Sequence, residues 1–294
     1  MAKKALIIFN PSAGLKSKLA VEKLAEHKLK SLGYRVDIFL VDEHFEAGIS
    51  GYDFSKLSLV VAIGGDGTVK VAGRTIIENK SSAPLVIIPF GSANVVAKTL
   101  GIPLNAKAAL QLIGGGKLHG YDVGVINKTH YFLVGFSVGY ISRIVTGTST
   151  KMKNNFGFVG YLINLLFNVN KVKRQKFLVR TKNHKFWLKG NSLVVFNACN
   201  FYGIKSKKKI DPADGFFNLY VVTNRNFLTL LIALLQFVFY GKPTQFLFSL
   251  DNNYFKISLR RRLRSCQIDG DYIELEKDIE IKMLPQALKI VIGK

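Results

Sequence analysis

The sequence predicts two domains, an α/β domain followed by an all-β one, on three observations. The chain has 294 residues, enough for two ordinary domains at roughly 100–200 residues each. Up to residue 125, apolar runs alternate with helical patterns, which is the texture of parallel β-α-β units. After Gly120, short strand-like runs separated by Asn, Gly and Lys take over. The expected boundary divides residues 1–125 from 126–294, with the last strand free to return to the first domain.

The elements follow in order. Ala5-Leu6-Ile7-Ile8-Phe9 is an apolar run that breaks at Asn10-Pro11-Ser12-Ala13-Gly14, a strand followed by turn chemistry. A helix is expected from Ser17 to Leu32, its apolar face drawn from Leu19, Ala20, Val21, Leu24, Ala25 and Leu29, with Gly33 as its stop. A strand follows over Arg35 to Val41. Leu57 to Ile63 is almost wholly apolar, as a parallel strand buried on both faces must be, and it runs into Gly64-Gly65-Asp66-Gly67-Thr68 before another helix. Leu85 to Ile88 repeats the pattern into Pro89-Phe90-Gly91-Ser92-Ala93-Asn94. Three polar, mostly Gly-rich loops thus leave strand carboxyl ends, where open α/β sheets bind ligands.

In the second part strands are expected at Tyr131–Val134, Phe177–Arg180, Leu193–Phe196, Leu219–Val222, Phe255–Leu259, Glu280–Met283 and Leu288–Ile292. Two helices interrupt them, Val159 to Phe167 and Asn226 to Tyr240, both apolar on nearly all sides. The longest apolar stretch, Phe227 to Tyr240, falls short of the roughly 20 residues a spanning helix needs. It reads as a helix buried in the core or lying on a membrane.

Composition narrows the function classes. Cys199 and Cys266 are far apart and the five histidines show no ligand spacing, which argues against a disulfide framework or a zinc site. The apolar run near the N-terminus is too short for a secretory signal, so a cytoplasmic protein is expected. With 42 Lys+Arg against 19 Asp+Glu, the net charge of +23 draws the protein toward anionic surfaces: phospholipid, nucleic acid or phosphorylated substrates.

Gly64-Gly65-Asp66-Gly67-Thr68 sets glycines around one carboxylate at a strand end, so backbone N–H groups can approach phosphate oxygens and Asp66 could hold Mg²⁺. An isolated string of this kind is as often a tight turn whose Asp caps the next helix. Neither the P-loop pattern nor the dinucleotide-binding glycine pattern occurs.

The three loops, with Ala97, Leu100, Gly101, Ile102 and Pro103, resemble the catalytic domain of the diacylglycerol kinase and sphingosine kinase family. The likeness continues through Gly135-Phe136-Ser137-Val138-Gly139, Gly160-Tyr161-Leu162, Asp211-Pro212-Ala213-Asp214-Gly215 and Gln267-Ile268-Asp269-Gly270-Asp271, in the family's order. It implies a phosphofructokinase-like α/β domain, a C-terminal β-sandwich, ATP as phosphoryl donor and a lipid hydroxyl as acceptor. Carried over by position, Asn10, Gly64, Gly65, Asp66, Gly67, Thr68, Val69, Lys70, Ser92 and Asn94 would line the ATP site. Asp271 would accept the proton of the lipid alcohol, with Asp269 beside it and Asp66 supporting Mg-ATP. Asp211, Asp214 and Phe216 would hold a structural Mg²⁺.

The chain also departs from the family pattern. Val71 stands where a glutamate is expected, Val95 where many members carry Asp, Asp271 replaces Glu, and Asn218 replaces a common acidic residue. These departures keep open a catalytically silent lipid- or nucleotide-binding protein, while NAD kinase shares the GGDGT loop but neither the Asn10–Gly14 start nor the closing Asp-Gly-Asp. Basic clusters at 171–176, 205–209 and 260–264 suit a peripheral protein on an anionic membrane, and no basic-aromatic motif points to nucleic acid. An exposed strand edge could support a homodimer.

Overall fold

The computed structural model describes residues 3–11, 15–42, 49, 52–142, 174–198, 210–223, 247–259 and 266–293. The chain is mixed α/β, mostly strand, with two sheets. It divides into two units, one of Met1–Tyr121 with Gln286–Lys294 and one of Asp122–Pro285. The expected helices at 159–167 and 226–240, the Ser12–Gly14 turn, Cys199 and most of the basic clusters lie outside the described residues.

In the first unit, β1 (Lys3–Phe9) pairs in parallel with β2 (Tyr34–Leu40) and β3 (Leu57–Gly64). The latter pairs in parallel with β4 (Leu85–Pro89). Ala5 to Phe9 and Val60 to Ile63 are almost completely buried, the burial expected of central parallel strands. Helices α1 (Leu15–Ser31) and α2 (Asp66–Glu78) make the crossovers. The face of α1 differs from the expected one: Val21, Ala25 and Leu29 are buried, whereas Leu19 and Leu24 are 39% and 46% exposed. Leu19 lies two residues from Val21, about 200° around the helix, so the two cannot share a face. Two short helices, α3 (Val95–Thr99) and α4 (Ala106–Leu110), follow β4.

The second unit sets two layers of strands around one apolar core. One layer runs in the order β12 (Leu247–Asn252), β11 (Phe217–Val222), β10 (Ser192–Phe196), β7 (Gly135–Gly139), β14 (Cys266–Ile268), β15 (Asp271–Ile273). The other contains β8 (Gln175–Arg180), β9 (Lys185–Gly190), β13 (Tyr254–Leu259) and the first part of β16 (Asp278–Ile292). Phe136, Val195, Phe217 and Leu219 of the first layer meet Phe177, Phe255, Ile257 and Ile281 of the second in that core.

Several strand boundaries differ from expectation for identifiable reasons. The two last strands are one, β16, passing through Pro285: β13 pairs with Asp278 to Lys282, Ile290 sits opposite Leu85, and β16 also pairs with β5 (Lys117–Ile126). The strand expected at Tyr131–Val134 is β6 (His130–Phe132), because the amides of Leu133 and Val134 donate to the Asp269 carboxylate instead of to a ladder. β5 (Lys117–Ile126), β7, β9, β12, β14 and β15 carry polar or glycine-interrupted sequences and give no clear apolar run.

Candidate functional site

In the first unit, the sheet brings the three loops together at the carboxyl ends of β1, β3 and β4. The Asn10 amide donates to Ile63 O at 3.2 Å, and the Phe90 amide donates to Gly64 O at 2.8 Å. Gly65 and Gly91 then meet backbone to backbone: a Cβ on Gly91 would stand 2.5 Å from Gly65 Cα and 2.8 Å from Asn94 Oδ1. Both positions need glycine because another main chain occupies the side-chain space.

Asn94 closes the third loop on itself. It is in the left-handed region, with φ of 47°, which Asn tolerates better than most residues. Its Oδ1 accepts from Gly91 N at 2.9 Å and its Nδ2 donates to Gly91 O at 2.7 Å. Asp66 locks this loop to the second one, its Oδ1 accepting the Val96 amide of α3 at 3.2 Å. Burial pushes the Asp66 carboxyl up, and the amides of Val95 and Val96 pull it partly back. Asp66 therefore does cap a helix, but α3 rather than its own.

The N-terminus of α2 lies on the same surface, with Asp66 in its first turn. Its N-cap residue is Gly65, which has no side chain to offer the first-turn amides, and such a helix end favours phosphate through amide donors and dipole. Thr68 and Val69 are buried in the first turn, Lys70 is half-buried and Ser92 exposed. Asn10, Gly64 to Lys70, Ser92 and Asn94 thus surround one strand-end surface of this unit.

In the second unit, Asp269 and Gly270 form the two-residue loop between β14 and β15, with Ile268 opposite Asp271. Both have positive φ, 51° and 95°, as a type I′ hairpin turn requires. The Asp269 carboxylate accepts from the amides of Leu133, Val134 and Gly135 at 2.8, 2.9 and 2.9 Å. Its task is to anchor the hairpin on the start of β7. Asp271 is exposed on β15, next to Tyr272, which is 51% exposed.

Asp211, Asp214 and Phe216 lie on the turn before β11. Asp211 Oδ1 accepts from Ala213 N at 3.0 Å and Asp214 Oδ1 from Phe216 N at 2.8 Å. Partial burial, followed by the charges of Asp211, Asp122 and Asp251, raises the Asp214 carboxyl. This negative potential fits a divalent cation, although no three His, Cys, Asp or Glu side chains among the described residues converge as a metal site. The turn and Asp271 sit at the same end of the sheet but with β10, β7 and β14 between their strands, about 19 Å by strand spacing, so they do not form one site.

Residues to which the sequence reading assigned no role hold this end together. Asp122 is buried; its Oδ2 accepts from Gly215 N at 2.9 Å and its amide donates to Pro212 O at 2.6 Å. Asn197 Nδ2 donates both to Asp122 O at 2.7 Å and to Leu133 O at 2.9 Å. Gln267 Oε1 accepts from Gly270 N at 2.6 Å while its Nε2 donates to Ser137 Oγ. The available signal was a lone carboxylate between Tyr121 and Val123. Asn218, at the position where the family often has an acid, donates from Nδ2 to Asp251 Oδ1 at 2.8 Å.

Comparison with known proteins agrees with this architecture. Residues 4–126 match the family model of the diacylglycerol kinase catalytic domain. A relative from Pectobacterium atrosepticum, named "Probable lipid kinase YegS-like", is 28% identical over 238 residues, covering 79% of this chain and 77% of that one. A "Putative lipid kinase" from Streptococcus pneumoniae is 26% identical over 298 aligned positions, 98% of this chain and 97% of that one. The crystal structure of a diacylglycerol kinase from Bacillus anthracis shares the fold, with a TM-score of 0.74 and 20% identity over 99% of this chain and 98% of that one. Residues 4–126 thus carry a likeness to the diacylglycerol kinase catalytic domain, and the relatives that align over most of this chain are named as lipid kinases.

Proposed function

We propose that the chain transfers the γ-phosphoryl group of ATP to the hydroxyl of a lipid, diacylglycerol first among the acceptors, with a sphingoid base or phosphatidylglycerol next. The observation that carries this reading is the fusion of the GGDG loop and the loop after β4 into one surface, through Gly65 against Gly91 and Asp66 on Val96. Such a surface offers the first-turn amides of α2, behind a glycine N-cap, to phosphate oxygens, with Lys70 and the Ser92 hydroxyl beside it. Asn10 and Asn94 shape its rim.

Asp271 is the proposed base. A lipid alcohol becomes a competent nucleophile only as its proton leaves, and an exposed carboxylate on a hairpin anchored by Asp269 can receive that proton. Asp269 acts through the anchoring and has no free role in proton transfer in this scheme. Mg²⁺, when bound, would neutralise phosphate charge; the Asp214 turn, with the main-chain carbonyls of Asp211 and Phe216, would hold a second, structural ion.

The test is transfer of labelled phosphate from Mg-ATP to diacylglycerol, sphingosine, phosphatidylglycerol and NAD in detergent micelles, with Asp271→Asn alongside. A lipid product lost in the variant supports the proposal and names the acceptor. Phosphorylation of NAD alone would make the chain a dinucleotide kinase. ATP binding with no product on any acceptor would make it a silent binding protein.

A further inference from the structure

The hairpin of β8 and β9 carries the feature that the kinase site does not absorb. From Arg174 to Gly190 it holds six basic residues, Arg174, Lys176, Arg180, Lys182, Lys185 and Lys189, and no carboxylate. The strand β9 alternates between exposed and half-buried positions from Lys185 to Lys189. Phe186 turns inward, its ring 5.6 Å from that of Phe248, and Leu188 packs on the core of the second unit. Lys185, Trp187 and Lys189 turn outward, where alternation calls for polar side chains.

Trp187 is the chain's single tryptophan and is 67% exposed, more than any other large apolar side chain of the described residues. Register places Lys185 opposite Arg180 and Lys189 opposite Lys176, so cations stand on both sides of the indole along the hairpin. The ion pairs found among the described residues involve none of the six. Arg174 donates to Lys189 O, and Arg180 to Ser258 Oγ, which in turn donates to Asp278, so neither arginine makes a direct ion pair among the described residues. The nearest carboxylates of this layer by register, Asp278 and Glu280, are two strands from β8 on β16, occupied with Ser258, Lys282 and Tyr254.

We propose that this hairpin face docks the protein on an anionic phospholipid surface, Trp187 entering the headgroup layer and the lysines facing lipid phosphates. An indole has an apolar body and one polar N–H, which suits the water–lipid boundary. A cationic rim without acids complements an anionic leaflet, and its attraction falls off over a Debye length. The proposal rests on the lipid kinase reading only for the choice of membrane over other polyanions.

A single tryptophan makes the test site-specific. Intrinsic fluorescence of the full chain is recorded while phosphatidylglycerol vesicles are added, with phosphatidylcholine vesicles and an oligonucleotide of equal phosphate concentration in parallel. The expected result is a blue shift, and quenching by brominated acyl chains, with phosphatidylglycerol alone, reversed by high salt. Replacing Lys185 and Lys189 by Glu should weaken vesicle binding by at least about fivefold per position. Trp187→Ser should reduce sedimentation with vesicles and leave turnover on micellar substrate unchanged.

Sedimentation with vesicles at unchanged Trp187 emission would overturn the proposal, since another face would then be docking. A larger shift with oligonucleotide would assign the face to nucleic acid, and a shift that follows protein concentration alone would assign it to a second copy at the β9 edge. Because the readout needs no turnover, its failure is distinguishable from absence of kinase activity in micelles.

Discussion

Asp66 Oδ1 accepts the Val96 amide at 3.2 Å, joining two loops thirty residues apart in the chain. The acid of the GGDG string thus works first as the clamp that holds the GGDG loop to the loop after β4. Removing it in Asp66→Ala should cost about 1 kcal/mol of stability, the usual value of a lost helix cap, and should raise the KM for ATP. Urea unfolding with ATP titration measures both.

The same clamp has a pH signature. Burial raises the Asp66 pKa above the ordinary 3.8, so the folded protein holds that proton more tightly than the unfolded chain. Its contribution to stability is present below the ordinary value and is lost as pH rises through the raised native one. Asn does not titrate. The stability of wild type relative to Asp66→Asn should therefore fall with rising pH across that interval in a denaturation series, and a flat difference would contradict the assignment.

Gly67 and Gly91 separate fold from ligand. A Cβ at Gly91 would collide with Gly65, whereas one at Gly67 meets no described atom within 4 Å. Gly91→Ala should lower the melting temperature and ATP affinity together. Gly67→Ala should leave the melting temperature within about 2 °C, as expected for under 0.5 kcal/mol, and weaken ATP binding, because the proposed phosphate would occupy that space.

Asp269 and Asp271, two residues apart, should fail differently. Asp269→Ala strips one acceptor group from three amides and should cost about 3 kcal/mol. Asp271→Asn, on an exposed site, should change stability by less than about 0.5 kcal/mol and reduce turnover by about 100-fold or more. Paired unfolding and kinase assays decide.

Burial pushes the Cys266 thiol up to about 11, which suppresses the thiolate at neutral pH. In native protein at pH near 8, iodoacetamide should leave Cys266 unmodified, as read by peptide mass mapping, until denaturant is added. Modification at native conditions would show that β14 opens.

Sequence reading was strongest where burial is symmetrical. The parallel strands of the first unit are apolar on both faces, so β1, β3 and β4 were legible within about two residues. It was weakest where polar groups are satisfied by distant partners. β5 carries Asp122 because Gly215 donates to it across ninety-three positions, and β6 ends early because Asp269 takes the next amides. On α1 the pattern admitted too wide a face, and only packing showed that Leu19 and Leu24 lie outside it.

The sequence by itself determined the local grammar: where strands of the first unit end in glycine-rich turns, that Asp269-Gly270 suits a two-residue hairpin, and that the chain is strongly basic. These are short-range consequences of side-chain shape and charge. Tertiary structure alone decided which carboxylate does what. Asp66, Asp122 and Asp269 each satisfy amides brought to them from elsewhere in the chain, while Asp271 stands exposed. Tertiary structure also turned Trp187 outward among its lysines, since the face a strand residue takes depends on which side the core lies.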